Sequence, residues 1–270
     1  MHCNHTTSGG SRQIPDWGFP DRNYLAYQGY EIGKVAWSPD GNQLLFSACL
    51  DIADRDVYVV DINTGVLTNL TQNSGTQDTD PMWTLNGAKI VFLSTTSPLG
   101  PPGTCFPRVN VDALFKLKVM NADGSDKKVV SEKESFYPFV SVSNEGQIAF
   151  ITDLAAKTDR DYNDVHMYTI GLDEKEPTQR ATAWRVVSWS PDGKHLAYED
   201  HRLQVWEVET GERRELPSLF SYHPVDTPGW SPNGRQIAVT VGIDPSGFYE
   251  YKHICIYNIQ DGAARLLIQK

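Results

Sequence analysis

The chain has 270 residues, 40% of them hydrophobic and 21% charged, with a formal net charge of −10. It is long enough for a sizeable core, its composition is that of a soluble globular protein, and no apolar run approaches the ~18 residues that cross a bilayer. The acidic balance argues against a nucleic-acid backbone or an anionic membrane as the main partner, since both recruit Lys and Arg patches.

Residues 1–33 read as a flexible tail carrying one strand. Met1 to Ser11 is polar and lacks an apolar h-region, so no signal peptide is expected in this chain. Cys3, followed by a Thr/Ser/Gly tether, resembles the start of a mature bacterial lipoprotein; the same residues also read as a plain flexible tail. Tyr24-Leu25-Ala26-Tyr27-Gln28 reads as a strand.

Five repeats follow. The first is Val35 to Phe46, built on Trp37-Ser38-Pro39-Asp40-Gly41; the second is Pro81 to Phe92; the third, Phe139 to Phe150, lacks both Trp and Pro. The fourth is Val186 to Glu199 and the fifth Pro228 to Val239. In Ser-Pro-Asp-Gly, Pro presets φ, Asp suits the third position and Gly takes the left-handed fourth, so each repeat reads as strand, tight turn, strand. Trp37, Trp83, Ser141, Trp189 and Trp230 recur at steps of roughly 40–60 residues, the spacing of four-stranded propeller blades. A second hairpin completes each repeat, as in Asp56 to Gly65 followed by Val66 to Leu70. No stretch holds a 3.6-residue period, so helix content should be very low.

Trp-Ser-Pro-Asp-Gly, an aliphatic-aromatic strand, then Asp56-Val57-Tyr58-Val59 and a Gly turn resemble the TolB-like β-propeller repeat over about residues 35–270. The resemblance implies an all-β β-propeller of four-stranded antiparallel blades at residues 34–270. Five blades with an added N-terminal strand are expected over six. It also implies a non-enzymatic scaffold that binds a protein or ligand, and a bacterial periplasmic or cell-surface location. A propeller enzyme (a lyase or glycan-active protein) and a propeller excised from a peptidase-like chain are the alternatives.

Chemistry-bearing motifs are sparse. The four cysteines form no Cys-x-x-Cys, which argues against structural zinc. Cys49 and Cys255 lie in apolar runs and read as buried hydrophobes, leaving a Cys3–Cys105 bridge possible. No cofactor is expected; calcium is the one candidate, at the acidic loops Asp51/Asp54/Asp56 and Asp159/Asp161/Asp164. Asp56 also reads as a strand-entry residue bonding turn backbone. His195, just after a turn, reads as solvated. Gly229-Trp230-Ser231-Pro232-Asn233-Gly234 narrowly misses Gly-x-Ser-x-Gly, and Ser231 falls in a repeat turn.

The lower-side turns are short and alike, while the upper loops at residues 94–112, 153–164 and 241–252 differ from one another. Variable loops on a rigid scaffold are where binding usually sits. The residues just ahead of each inner strand include Lys34, Asp80, Tyr137, Arg185 and Asp226. These five, with Trp184 and His223, are the candidate binding surface. Their mixed charge suits an oriented polar ligand or peptide better than a polyanion.

Overall fold

The computed structural model describes residues 35–50, 54–72, 75–96, 114–135, 139–152, 165–174, 176–183, 185–200, 202–217, 228–243 and 251–267. They form five four-stranded antiparallel sheets and no helix. The first sheet contains β1 (Ala36–Trp37), β2 (Gln43–Ala48), β3 (Asp56–Asp61) and β4 (Leu67–Asn69). The second contains β5 (Gln77–Trp83), β6 (Lys89–Thr95), β7 (Phe115–Asn121) and β8 (Lys128–Ser135). The third contains β9 (Phe139–Val142), β10 (Gln147–Thr152), β11 (His166–Gly171) and β12 (Thr178–Thr182). The fourth contains β13 (Arg185–Trp189), β14 (His195–Asp200), β15 (Arg202–Glu207) and β16 (Arg213–Glu215). The fifth contains β17 (Gly229–Trp230), β18 (Gln236–Ile243), β19 (Tyr251–Asn258) and β20 (Ala264–Leu266). Within every sheet the strands pair in chain order.

The lower turns show why the sequence folds this way. The Gly41 amide donates to Ser38 O at 2.9 Å, and the Ser38 amide donates to Gln43 O at 2.9 Å. The Ser38 hydroxyl donates to Asp40 Oδ1 at 2.6 Å while accepting the Gln43 amide at 2.9 Å. Thr84 with Asn86, Ser190 with Asp192, and Ser231 with Asn233 repeat this closed circuit. The turn glycines, from Gly41 to Gly234, share φ values between 68° and 78°. Ser231 is thereby committed to its turn, accepting the Gln236 amide at 2.9 Å.

Sheets stack through apolar junctions in which alternate residues of each strand face opposite neighbours. Leu45, Val57 and Val59 of the first sheet meet Ile90, Phe92 and Met120 of the second. Val91, Leu93 and Leu117 on the second sheet's other face meet Ile148, Phe150 and Tyr168 of the third. Ile151 and Met167 meet Trp189, Leu196 and Trp206 of the fourth, and Ala197 and Val205 meet Ile237, Val239 and Cys255 of the fifth. The degenerate third repeat keeps all four strands. Its Ser141 hydroxyl, standing where other repeats have Trp, accepts the Trp189 amide of the next blade at 3.0 Å.

Two local expectations are corrected. His195 is not solvated: its side chain is 22% exposed and lies against Trp230, ring centroids 6.2 Å apart. Cys49 is not a free hydrophobe but half of a disulfide, while Cys255 is free and buried. The partner of Cys49 lies outside the described residues, as does the expected Cys3–Cys105 bridge. Among the repeat tryptophans, Trp83, Trp189 and Trp230 pack in the junctions between sheets, the Trp230 Nε1 donating to Ser188 O at 3.1 Å, but Trp37 is 61% exposed.

Candidate functional site

Inner strands run from the upper side of the molecule down to the repeat turn. Two of them are irregular, β5 at its middle and β13 at its upper end. The β5–β6 register shifts between Thr79 and Met82, and β13–β14 shifts between Arg185 and Val187. Bulges bend a strand and re-aim its side chains, and they concentrate near functional sites. Asp80 sits within the first bulge at φ 48°, a left-handed conformation uncommon for a non-glycine residue. The Thr79 hydroxyl donates to its Oδ2 at 3.2 Å.

Of the seven residues proposed from sequence, Asp80 lies midway along β5 of the second sheet and Arg185 opens β13 of the fourth, each beside a bulge. Of Arg185 the backbone is described, opening β13. Lys34, Tyr137, Trp184, His223 and Asp226 lie outside the described residues, as do most of the upper connections.

Beneath this rim are buried polar groups that sequence reasoning missed. Asp78 is 1% exposed and accepts from Ser94 Oγ at 2.5 Å and Thr76 Oγ1 at 2.9 Å. Its amide donates to Arg55 O at 2.7 Å, and Gln77 reaches back to Asp54 Oδ1 at 2.9 Å, so the first two blades are stitched together here. Glu199, 1% exposed, stands opposite Arg185 in the β13–β14 ladder. Its signal was legible: it has the strand parity of Ala197, a position belonging to the blade-four to blade-five core. A carboxyl at a core position marks a site with a polar purpose.

Asp56 is buried and accepts from Asn69 Nδ2 at 2.7 Å and Thr71 Oγ1 at 3.1 Å. It is thus tied to side chains, while the neighbouring Val57 amide donates to Thr71 Oγ1. Both described members of the first acidic loop, Asp54 and Asp56, already have protein partners. Asp51, Asp159, Asp161 and Asp164 lie outside the described residues, and among those described no group of three or more His, Cys, Asp or Glu could hold a metal.

The lower face has different chemistry. A cavity of about 580 Å³ opens among the inner strands of the first three sheets, lined by Trp37, Pro39, Met82, Trp83, Leu85 and Val142 among others. Turn carboxylates on this face are held ionised. The Ser38 hydroxyl, then Asn42, bring Asp40 down to about 2 from 3.8. Asp192 is also lowered: burial pushes it up, but the Ser190 hydroxyl, the Lys194 amide and the charges of His195 and Lys194 outweigh that.

No family model and no curated protein sequence matches the chain. Solved structures do. TolB from Acinetobacter baumannii is 14% identical with a TM-score of 0.60, over 87% of this chain and 53% of that one. A nidogen/laminin complex matches at 12% identity and TM-score 0.58, over 87% and 79%. A puromycin hydrolase S511A mutant complexed with PGG matches at 13% identity and TM-score 0.64, over 89% and 38%. The chain thus spans about half the length of the TolB structure and less of the hydrolase. At these identities the likeness is one of fold, and it agrees with the repeat, the turn chemistry and the sheet order: the chain has the TolB-like β-propeller fold.

Proposed function

We propose that this protein is a non-enzymatic propeller scaffold that binds a protein or peptide through its upper face. The observation that carries the reading is the contrast between the two ends of the inner strands. At the lower ends, turn side chains satisfy one another in a repeated circuit. Above those turns the ladder is interrupted midway along β5 and at the start of β13, and Asp80 is held in a left-handed backbone conformation. Such irregularity costs stability and recurs where a side chain must be aimed. The similar nidogen/laminin structure is a complex between proteins, which agrees with a propeller used for docking. Net charge of −10 disfavours polyanionic ligands. The Cys49 disulfide supports an extracytoplasmic location, because such bonds persist in oxidising compartments.

The test is affinity capture with the purified chain, followed by paired substitutions. Asp80→Ala and Arg185→Ala should weaken capture of the recovered partner with little change in Tm. Asn86→Ala, Asp192→Ala and Leu85→Ala, on the lower side, should leave capture intact. Capture sensitive to the lower set alone would place the binding face on the cavity side and reject the upper-face reading.

A further inference from the structure

Three of the four junctions between successive sheets contain the tryptophan of a repeat. Trp83 packs where the first sheet meets the second, Trp189 where the third meets the fourth, and Trp230 where the fourth meets the fifth. Each indole stands at the lower end of an inner strand and fills the seam toward the preceding blade. The junction of the second and third sheets has no tryptophan among its described residues. The third repeat carries Ser141 at that position, a side chain smaller by a whole indole ring.

The lower-face cavity of about 580 Å³ opens at this place. Met82 and Leu85 of the second sheet line it together with Ser141 and Val142 of the third, and so does Trp37 of the first, 61% exposed. Its volume is that of a small-molecule site, about 300–1,000 Å³. The hydroxyls on its wall are engaged: Ser141 Oγ accepts the Trp189 amide at 3.0 Å, and Thr84 Oγ1 accepts the Lys89 amide at 3.0 Å. What remains of the described lining is apolar and aromatic. An apolar space left by an absent side chain takes up a ring of the kind that would have filled it.

A second space, of about 370 Å³, adjoins the first and shares Pro39 and Trp83 with it. Its described lining adds Asp40, Gln43 and Asn86, with one carboxylate and no Lys or Arg. Asp40 is exposed and kept ionised by the Ser38 hydroxyl and Asn42. Its Oδ2 accepts from Asn42 Nδ2 at 3.0 Å and has lone-pair capacity left for a further donor.

We propose that the lower-face cavity binds a small aromatic cation: an indole-sized ring enters the slot left by Ser141, against Trp37 and Trp83, and an ammonium arm extends past Pro39 to Asp40. The ring gains burial and aromatic contact. The arm gains the Asp40 charge, and the chain's net charge of −10 draws cations toward it. The site lies on the opposite side from the proposed protein-binding face and is independent of it.

Tryptamine is the probe, with tryptophol and indole-3-acetate as its neutral and anionic counterparts. Calorimetric titration of the full chain at neutral pH should rank affinity as tryptamine, then tryptophol, then indole-3-acetate. Ser141→Trp supplies the indole from the chain itself and should weaken tryptamine binding at least about tenfold. Asp40→Asn should weaken tryptamine about two- to fivefold and leave tryptophol unchanged. Absence of tryptamine binding, equal binding of indole-3-acetate, or undiminished affinity in Ser141→Trp would overturn the proposal. Should Ser141→Trp fail to fold, Trp37→Ala replaces it. Trp37 is exposed, so its loss spares the core, and tryptamine affinity should fall about two- to tenfold. Undiminished affinity there would equally overturn the proposal. Asp80→Ala separates this site from the upper face, because it should weaken partner capture and leave tryptamine binding intact.

Discussion

Gly124 lies in the β7–β8 turn at φ 84°, and a Cβ added there would meet Leu70 O of the first blade at 3.1 Å and Leu70 Cδ2 at 3.3 Å. Gly41 has a similar φ of 73°, but a Cβ there would meet nothing within 4 Å. The pair isolates an inter-blade contact from backbone strain. In either variant Ala pays about 1–2 kcal/mol for the left-handed conformation. Reduced freedom of the unfolded chain offsets about 0.4–1 kcal/mol of this. Gly41→Ala should therefore lose about 0–1.6 kcal/mol. Gly124→Ala adds crowding against a backbone oxygen that cannot swing aside, a penalty of about 1–3 kcal/mol by analogy with overpacked cores. Urea unfolding at one temperature, with both variants beside the parent, measures the difference through the midpoint at constant m-value. Equal losses within about 0.5 kcal/mol would refute the claim that this turn is wedged against the neighbouring blade.

Asp40 should titrate late. Its carboxyl is lowered from 3.8 to about 2 in the folded chain, so its contribution is complete above the unfolded value and disappears as pH falls through the folded one. Asp40→Asn, which places at this turn the residue found at Asn86 and Asn233, should flatten the fall of Tm between about pH 4 and about 2; parallel curves would reject this. Thiol labelling in denaturant without reductant should modify Cys255 and spare Cys49, and prior reduction should expose Cys49; labelling of Cys49 from the start would show that the bridge does not form. Asp80→Gly should release strain and leave stability unchanged or raised by up to about 1 kcal/mol while capture weakens. A loss above about 1 kcal/mol would make the Asp80 side chain structural.

Features set by local chemistry were the legible ones. Pro39, Asp40 and Gly41 specify their turn within a few residues, and the same logic holds at Asp192 and Gly193. Positions whose environment comes from another blade were not. His195 looks solvated along its own strand, but Trp230, a repeat later, covers it. Trp37 carries the same motif residue as Trp230 yet remains exposed. Cys49 looked like one more apolar strand residue because a half-cystine carries no local mark. Of the candidate binding surface, Asp80 lies midway along β5 and Arg185 at the start of β13; the bulges beside them left no trace in residue spacing.

Every sheet is made from one uninterrupted stretch of chain, with strands pairing in the order of synthesis. A nascent blade can complete its whole hydrogen-bond ladder before the next begins to emerge. What must wait is only the apolar face turned toward the following blade. During translation the exposed risk is thus a single moving surface, from Val91 and Leu93 to Ile151 and Met167 to Ala197 and Val205, each covered as its successor arrives. Antiparallel meanders of this kind make a large all-β chain assemble through short-range steps, avoiding the slow long-range strand pairing that exposes other β folds to aggregation.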